Sequence, residues 1–126
     1  MHLDSQGNKK HRVGFSYAIN GLKTAFKSEF NVRIHFYVTA VVVALGILLQ
    51  IGLIEWAIIT VTISLVISLE LMNTAMEYAM DYLAPEIHSS VGIVKDISAA
   101  AVFIAAVGSI AVACFIFLPK IWELIF

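Results

Sequence analysis

The chain has 126 residues, of which 60% are hydrophobic and only 13% are charged, and its formal net charge is −1. Soluble domains carry about 25% charged residues, so the composition excludes an ordinary soluble domain and indicates one small membrane protein over residues 1–126. Basic residues precede the first long apolar run: six of the eight lie there, Lys9, Lys10, Arg12, Lys23, Lys27 and Arg33. This polar, basic start also predicts that no cleavable signal peptide is present.

The leading segment, residues 1–35, is predicted to be cytoplasmic and to contain an amphipathic helix on the membrane surface. Apolar residues recur there at three- and four-residue steps, and polar residues lie between them. The apolar members are Phe15, Ile19, Leu22 and Phe26, and the polar members are Asn20, Lys23 and Lys27. This is the period of an amphipathic helix. A soluble arm that alternates by chance is the alternative.

Three apolar runs, residues 36–54, 56–80 and 97–118, are predicted to be transmembrane helices. At about 1.5 Å per residue, about 20 helical residues cross a hydrocarbon core roughly 30 Å thick. The second run reaches this length only if its helix continues past Leu69 through the polar sequence ELMNTAMEYAM. The third run is rich in Ala and Gly, which let helices approach closely in membranes. Pro119 is predicted to end it.

The distribution of Lys and Arg predicts the orientation. The loop QIGLIE between the first two spans has no basic residue, whereas the leading segment has six. By the positive-inside rule, the N-terminus and residues 81–96 are cytoplasmic, and the short loop and the C-terminus are outside. Lys120 weakly opposes this assignment.

Four polar residues, Glu70, Asn73, Glu77 and Asp81, share one face of the second span within an arc of roughly 80°. An ionised carboxylate that faces lipid costs about 2.5–3.5 kcal/mol. The stripe is therefore predicted to face protein, water or a cation. Such carboxylates can hold Mg²⁺, accept a proton from a hydroxyl nucleophile or line a cation path, and residue chemistry alone leaves these open. Simple solvation at the membrane edge is the plain alternative, above all for Asp81.

The segment APEIHSSVGIVKD after the stripe brings further polar residues to the membrane surface: Glu86, His88, Lys95 and Asp96. Lys95 and Asp96 are alternatively a pair that caps the last helix. Neither GxxxxGK[ST] nor GxGxxG occurs in the sequence, so it has no nucleotide motif of the soluble type. Because cysteine ligands are lacking and the histidines are scattered, a zinc site is not expected. No nucleic-acid partner is expected either.

The sequence ELMNTAMEYAMD…APEIHSSVGIVKDISAAAV resembles the signature of the small bacterial integral-membrane diacylglycerol kinases. That signature is E-hydrophobic₂-N-[ST]-A-x-E-x₃-D, then a loop and a Lys-Asp pair that opens the last span. The resemblance covers nearly the whole chain and includes Gly21 to Lys23 and Glu29 upstream. The stretches SEFNVRIH and IEWAIITV resemble the Gram-positive branch, whose members phosphorylate undecaprenol. Gram-negative enzymes carry an acidic residue where His35 stands.

The resemblance implies transfer of the γ-phosphoryl group of Mg·ATP to the hydroxyl of a membrane lipid. Undecaprenol is the expected acceptor, which would recycle carrier lipid for cell-wall synthesis, and diacylglycerol is the alternative. The resemblance makes Glu70 the catalytic base and Glu29 and Glu77 the ligands of the Mg²⁺ cofactor. It assigns ATP binding to Arg12, Tyr17, Glu29, Glu77, Glu86, His88, Lys95 and Asp96. It assigns supporting or substrate-contacting roles to Asn73, Asp81 and Ala99.

The resemblance also implies an all-α membrane fold, an N-terminal surface helix plus three transmembrane helices, assembled as a homotrimer with shared active sites. The active site would lie on the cytoplasmic side of the bacterial cytoplasmic membrane. One departure concerns Ser98 and Ala99, where Gram-negative enzymes have Gly-Ser, so their acceptor specificity does not carry over.

Two other classes of protein stay open. A cation channel or transporter would use the stripe as its path, but it leaves Glu29 and the Lys-Asp pair unexplained. A structural subunit of a larger complex would not need the long polar signature.

Overall fold

The computed structural model describes residues 14–86 and 88–126, which form four helices. These are α1 (Gly14–Ser28), α2 (Phe30–Leu48), α3 (Leu53–Leu83) and α4 (Ser89–Ile125). As the sequence predicts, three of them, α2, α3 and α4, are long and apolar enough to cross a membrane. At 1.5 Å per residue, α3 is about 46 Å long and α4 about 56 Å. Both therefore extend beyond a hydrocarbon core of roughly 30 Å.

A break at Glu29 separates α1 from α2. Glu29 has extended backbone angles, φ −111° and ψ 119°. The guanidinium of Arg33 donates hydrogen bonds to the backbone carbonyls of Phe26 and Lys27 at 3.0 Å and 2.9 Å. Carbonyls at the end of a helix lack N–H donors from their own helix. The rings of Phe26 and Phe36 pack edge to face with centroids 5.6 Å apart. Arg33 thus holds the end of α1 against the first turn of α2, and the location of α1 on the membrane surface stays a prediction.

Residues 49–52 turn the chain from α2 into α3. Gln50 has a φ of 51°. Its N–H bonds to the carbonyl of Ile47 at 3.2 Å, and the N–H of Ile51 bonds to the carbonyl of Gly46 at 3.1 Å. These two bonds are the Schellman arrangement, which satisfies the last carbonyls of a helix.

Two predicted boundaries differ from the structure. The sequence predicts the first span over residues 36–54, but α2 runs from Phe30 to Leu48. The sequence hides the break at residues 49–52 because these turn residues are themselves mostly apolar. The third span is predicted over residues 97–118 with Pro119 as its end, but α4 starts at Ser89 and continues through Pro119 to Ile125. Proline removes one helical hydrogen bond, and membrane helices tolerate this where neighbouring groups satisfy the freed carbonyl. The predicted second span, residues 56–80, lies wholly within α3.

Helix α3 packs against α2 and, more extensively, against α4. Two ion pairs hold α3 and α4 in antiparallel register: Glu55 with Lys120 at 3.3 Å near one end, and Asp81 with Lys95 at 2.5 Å near the other. Glu55 also accepts the N–H of Gly52 at 2.7 Å and so caps α3. Lys120, which opposes the predicted orientation, therefore has a carboxylate partner at its own end of the bundle.

Gly46 lies where α2 meets the start of α3. A Cβ at this position would lie 2.7 Å from the indole of Trp56 and 3.1 Å from Ile51. We expect Gly46→Ala to lower the free energy of unfolding by about 1–3 kcal/mol, because the rigid indole has to move. Thermal unfolding in detergent micelles measures this. Gly108→Ala is the matched control, since its Cβ meets nothing within 4 Å, and equal shifts in the two variants would contradict the prediction.

Candidate active site

Glu70 lines a cavity of about 200 Å³ between α2, α3 and α4. The residue is only 5% exposed, although it carries a carboxylate in an apolar helix. Helix α2 contributes Asn31 and His35 to the cavity, and α4 contributes small residues that include Ala99 and Ala106. The antiparallel register of α3 and α4 places this small-residue stretch of α4 opposite Glu70. Predicted substrate contact Ala99 therefore lines the same cavity as the predicted base.

His35 lies beside Glu70 in this cavity. Its Nε2 lies 3.6 Å from Oε2 of Glu70, a distance at which a protonated imidazole attracts the carboxylate. The carboxylates of Glu77 and Glu29 are also close enough to act on Glu70, and they repel its charge. The predicted base therefore lies near both predicted metal ligands.

Asn73, one turn after Glu70, links the cavity to Glu77. Its Nδ2 donates to Oε1 of Glu77 at 3.3 Å. Because a carboxylate only accepts, this bond also settles which end of the amide faces Glu77. The other end, Oδ1, is buried and has no hydrogen-bond partner among residues 14–86 and 88–126. A buried acceptor without a donor costs about 1–3 kcal/mol, so this oxygen is suited to receive a hydrogen from a bound molecule.

The predicted Mg²⁺ ligands are Glu29 at the break between α1 and α2 and Glu77 on α3. Within the described part of the chain, neither forms an ion pair, and no group of three or more His, Cys, Asp or Glu side chains forms a ready metal cage. Mg²⁺ at phosphoryl-transfer sites is usually held by one or two carboxylates together with substrate phosphates. Two carboxylates without cationic partners fit this kind of site.

The other predicted ATP residues lie beyond the Glu70 cavity. Lys95 pairs with Asp81 rather than with its neighbour Asp96, so the expected Lys-Asp cap is not what the structure shows. Asp81 lies about 16 Å further along α3 than Glu70. His88 caps α4 by accepting the N–H of Ser90 at 3.1 Å. Glu86, His88 and Asp96 are exposed around the connection between α3 and α4.

Tyr17 on α1 lines a different cavity, of about 620 Å³, between α1 and α3. Thr74 and Tyr78 of α3 form part of its wall. Within one chain, then, Tyr17 does not line the Glu70 cavity. Arg12, the remaining predicted ATP residue, lies outside the described residues.

Sequence reasoning missed two residues of the site, Asn31 and His35. They lie one helical turn apart where α2 begins and both face the Glu70 cavity. A signal was present, because two polar side chains four residues apart at the start of an apolar helix share one face. Sequence comparison noted His35 only as a difference between branches.

Comparison with known proteins adds the family. The sequence model of the prokaryotic diacylglycerol kinase family matches residues 16–117, about four-fifths of the chain. The match contains every predicted site residue except Arg12. None of the curated proteins compared with the chain matches it. With three helices long enough to span a membrane and a buried carboxylate between them, the chain belongs to the prokaryotic diacylglycerol kinase family and is a lipid kinase of the bacterial membrane.

Proposed function

We propose that the chain transfers the γ-phosphoryl group of Mg·ATP to the hydroxyl of undecaprenol, with diacylglycerol as the alternative acceptor. The observation that carries the proposal is the position of Glu70, a buried carboxylate in a cavity between membrane-spanning helices of a lipid kinase. The resemblance of SEFNVRIH and IEWAIITV to the Gram-positive branch supports undecaprenol as the acceptor. The family match supports a kinase over the cation channel that the polar stripe alone leaves open.

The depth of Glu70 suits a lipid alcohol. About 20 residues of α3 counted from Leu53 cross the hydrocarbon core, so the helix leaves it near Asn73. Glu70 then lies just inside the edge of the core, where a lipid presents its hydroxyl. By the positive-inside rule this edge is the cytoplasmic one, where ATP is available.

The reaction needs a base, a positioned phosphate donor and charge neutralisation. Glu70 accepts the proton of the lipid hydroxyl as its oxygen bonds to the γ-phosphorus. The bond from that phosphorus to the β–γ bridging oxygen breaks, and ADP leaves with the electron pair. Bound Mg²⁺ would neutralise charge on the phosphates, and Glu29 and Glu77 would hold it. Asn73 keeps the carboxylate of Glu77 in place.

In this proposal, the ATP site is formed by more than one subunit. Tyr17, Glu86, His88, Lys95 and Asp96, together with Arg12, are the proposed nucleotide contacts. Most of the described ones lie towards the cytoplasmic end of the helices, away from the Glu70 cavity of their own chain. A homotrimer with shared sites would bring these residues of one subunit to the Glu70 of another. Asp81 would hold Lys95 until the phosphates of ATP replace it.

Acceptor preference is tested with the wild-type protein in mixed micelles containing Mg²⁺ and γ-labelled ATP. We expect kcat/KM for undecaprenol to exceed that for diacylglycerol by about tenfold or more. A higher value for diacylglycerol would reverse the assignment of the acceptor. Absence of transfer to both lipids, in protein shown to be folded and oligomeric, would overturn the kinase proposal itself.

A further inference from the structure

A second cavity, of about 140 Å³, adjoins the Glu70 cavity and extends away from it into the apolar part of the bundle. His35 lines both cavities and is their boundary. The wall of the second cavity is mainly aliphatic, with Val38 and Val42 from α2, Ile63 from α3 and Ile110 from α4. An apolar molecule in this space would therefore end beside the carboxylate of Glu70.

Three hydroxyl side chains also line this second cavity: Thr39, Thr62 and Ser109. Each lies 2.7 Å from a backbone carbonyl three or four residues earlier in its own helix. A carbonyl oxygen only accepts hydrogen bonds, so each hydroxyl hydrogen is already donated. Among the side chains that line this cavity, only the imidazole of His35 has a hydrogen-bond donor that is not used within its own helix. Its Nε2 lies 3.6 Å from Oε2 of Glu70.

A wall without available donors discriminates between lipids. An ester carbonyl that entered this cavity would lose its hydrogen bonds to water and gain none, which is unfavourable. A plain hydrocarbon chain loses no hydrogen bonds and gains burial. Diacylglycerol carries two ester groups close to its hydroxyl, whereas a polyprenol is hydrocarbon up to the carbon that bears the hydroxyl.

We propose that this second cavity binds the stretch of the acceptor chain next to the hydroxyl and selects lipid alcohols without ester carbonyls there. The proposal rests on the proposed function and deepens it, since it names the property of the acceptor that the site reads. The acceptor chain is the occupant because this cavity shares His35 with the Glu70 cavity, where the hydroxyl reacts. His35 separates the chain-binding part from the reacting part.

A matched pair of variants on α2 tests the location. Val38 lines the cavity and is 52% exposed, whereas Val41 lies outside it and is 59% exposed, so both positions have room for a larger ring. We expect Val38→Phe to raise KM for undecaprenol by about tenfold or more and to leave KM for ATP unchanged. Val41→Phe should leave both constants near the wild-type values.

Photolabelling gives a readout that does not depend on catalysis. A farnesol analogue that carries a diazirine in its chain should label residues of the cavity wall, such as Ile63 and Ile110, in the wild type and in Val41→Phe. Labelling there should be lost in Val38→Phe. Labels confined to the outer faces of the helices, or equal KM changes in the two variants, would overturn the inference. So would a loosened oligomer in Val38→Phe with no selective change in KM, because a neighbouring subunit's side chain would then fill the cavity.

The basis of selection is tested with an ether lipid. Dialkylglycerol keeps the shape of diacylglycerol but lacks its two ester carbonyls. We expect its kcat/KM to exceed that of diacylglycerol by about tenfold, and equal values would overturn selection against carbonyls. If wild-type protein phosphorylates undecaprenol while the paired variants behave alike, the inference fails and the proposed function stands. If photolabelling maps to the cavity but no lipid is phosphorylated, the proposed function fails and the hydrocarbon site stands.

Discussion

Glu70→Gln is expected to lower kcat for phosphate transfer to undecaprenol by about 10²–10⁴-fold, the usual contribution of a general base. Glutamine fills the same space in the Glu70 cavity but cannot take the hydroxyl proton at neutral pH. It also removes a carboxylate that is buried between apolar helices, so the variant should fold at least as well as the wild type. Loss of activity would therefore reflect chemistry rather than instability.

The measurement is single-turnover transfer in mixed micelles, with thermal unfolding of the same preparations as the check on folding. Glu55→Gln is the matched control, because it is the same change on the same helix. Glu55 caps α3 and pairs with Lys120, far from the Glu70 cavity, so its replacement should leave kcat within a few-fold of the wild type. Activity of Glu70→Gln within tenfold of the wild type would remove the role of base from Glu70.

Glu77→Gln is expected to lower transfer by about 100-fold at low Mg²⁺ and to recover part of it as Mg²⁺ is raised. Changes around metal ligands typically cost 10–100-fold in metal affinity, and Glu77 is proposed as one of only two protein ligands. The amide oxygen of Gln still accepts the hydrogen bond from Asn73, so the geometry of the site is kept while its charge is lost.

Binding of Mn²⁺ in the presence of ATP, followed by electron paramagnetic resonance, tests the metal role apart from activity. The affinity should fall in Glu77→Gln. Glu123→Gln removes an exposed carboxylate near the end of α4 and controls for the change in net charge. An unchanged Mn²⁺ affinity, together with a loss of activity that added Mg²⁺ does not restore, would contradict a ligand role for Glu77.

Parts of the site could be predicted from residue spacing because they lie on one helix. Glu70, Asn73 and Glu77 share a face through the helical period alone. In the structure, Asn73 donates a hydrogen bond to Glu77, and the carboxylate of Glu77 is close enough to Glu70 to repel its charge. The need to keep a carboxylate out of lipid likewise predicts that Glu70 faces protein, water or a cation, and in the structure it lines a cavity between α2, α3 and α4. These inferences depend on local geometry and on solvation, both of which a single segment of sequence carries.

Contacts between helices could not be predicted in this way. The sequence offers Asp96 as the helix-capping partner of Lys95, and only the antiparallel register of α3 and α4 pairs Lys95 with Asp81 instead. The end of α2 was misplaced because the turn at residues 49–52 is apolar, and its Schellman bonds depend on a positive φ at a glutamine.

Length, hydropathy and helical spacing by themselves determined three helices long enough to span a membrane and one polar face, because each follows from the properties of consecutive residues. The resemblance of the sequence to a known signature indicated the family. Only the tertiary structure decided that His35 of α2 meets Glu70 of α3, that small residues of α4 face them, and that an apolar cavity with its hydroxyls already bonded adjoins the site. Such proximities depend on how packing and ion pairs set the rotation and register of whole helices, and residues far apart in sequence carry no local sign of that register.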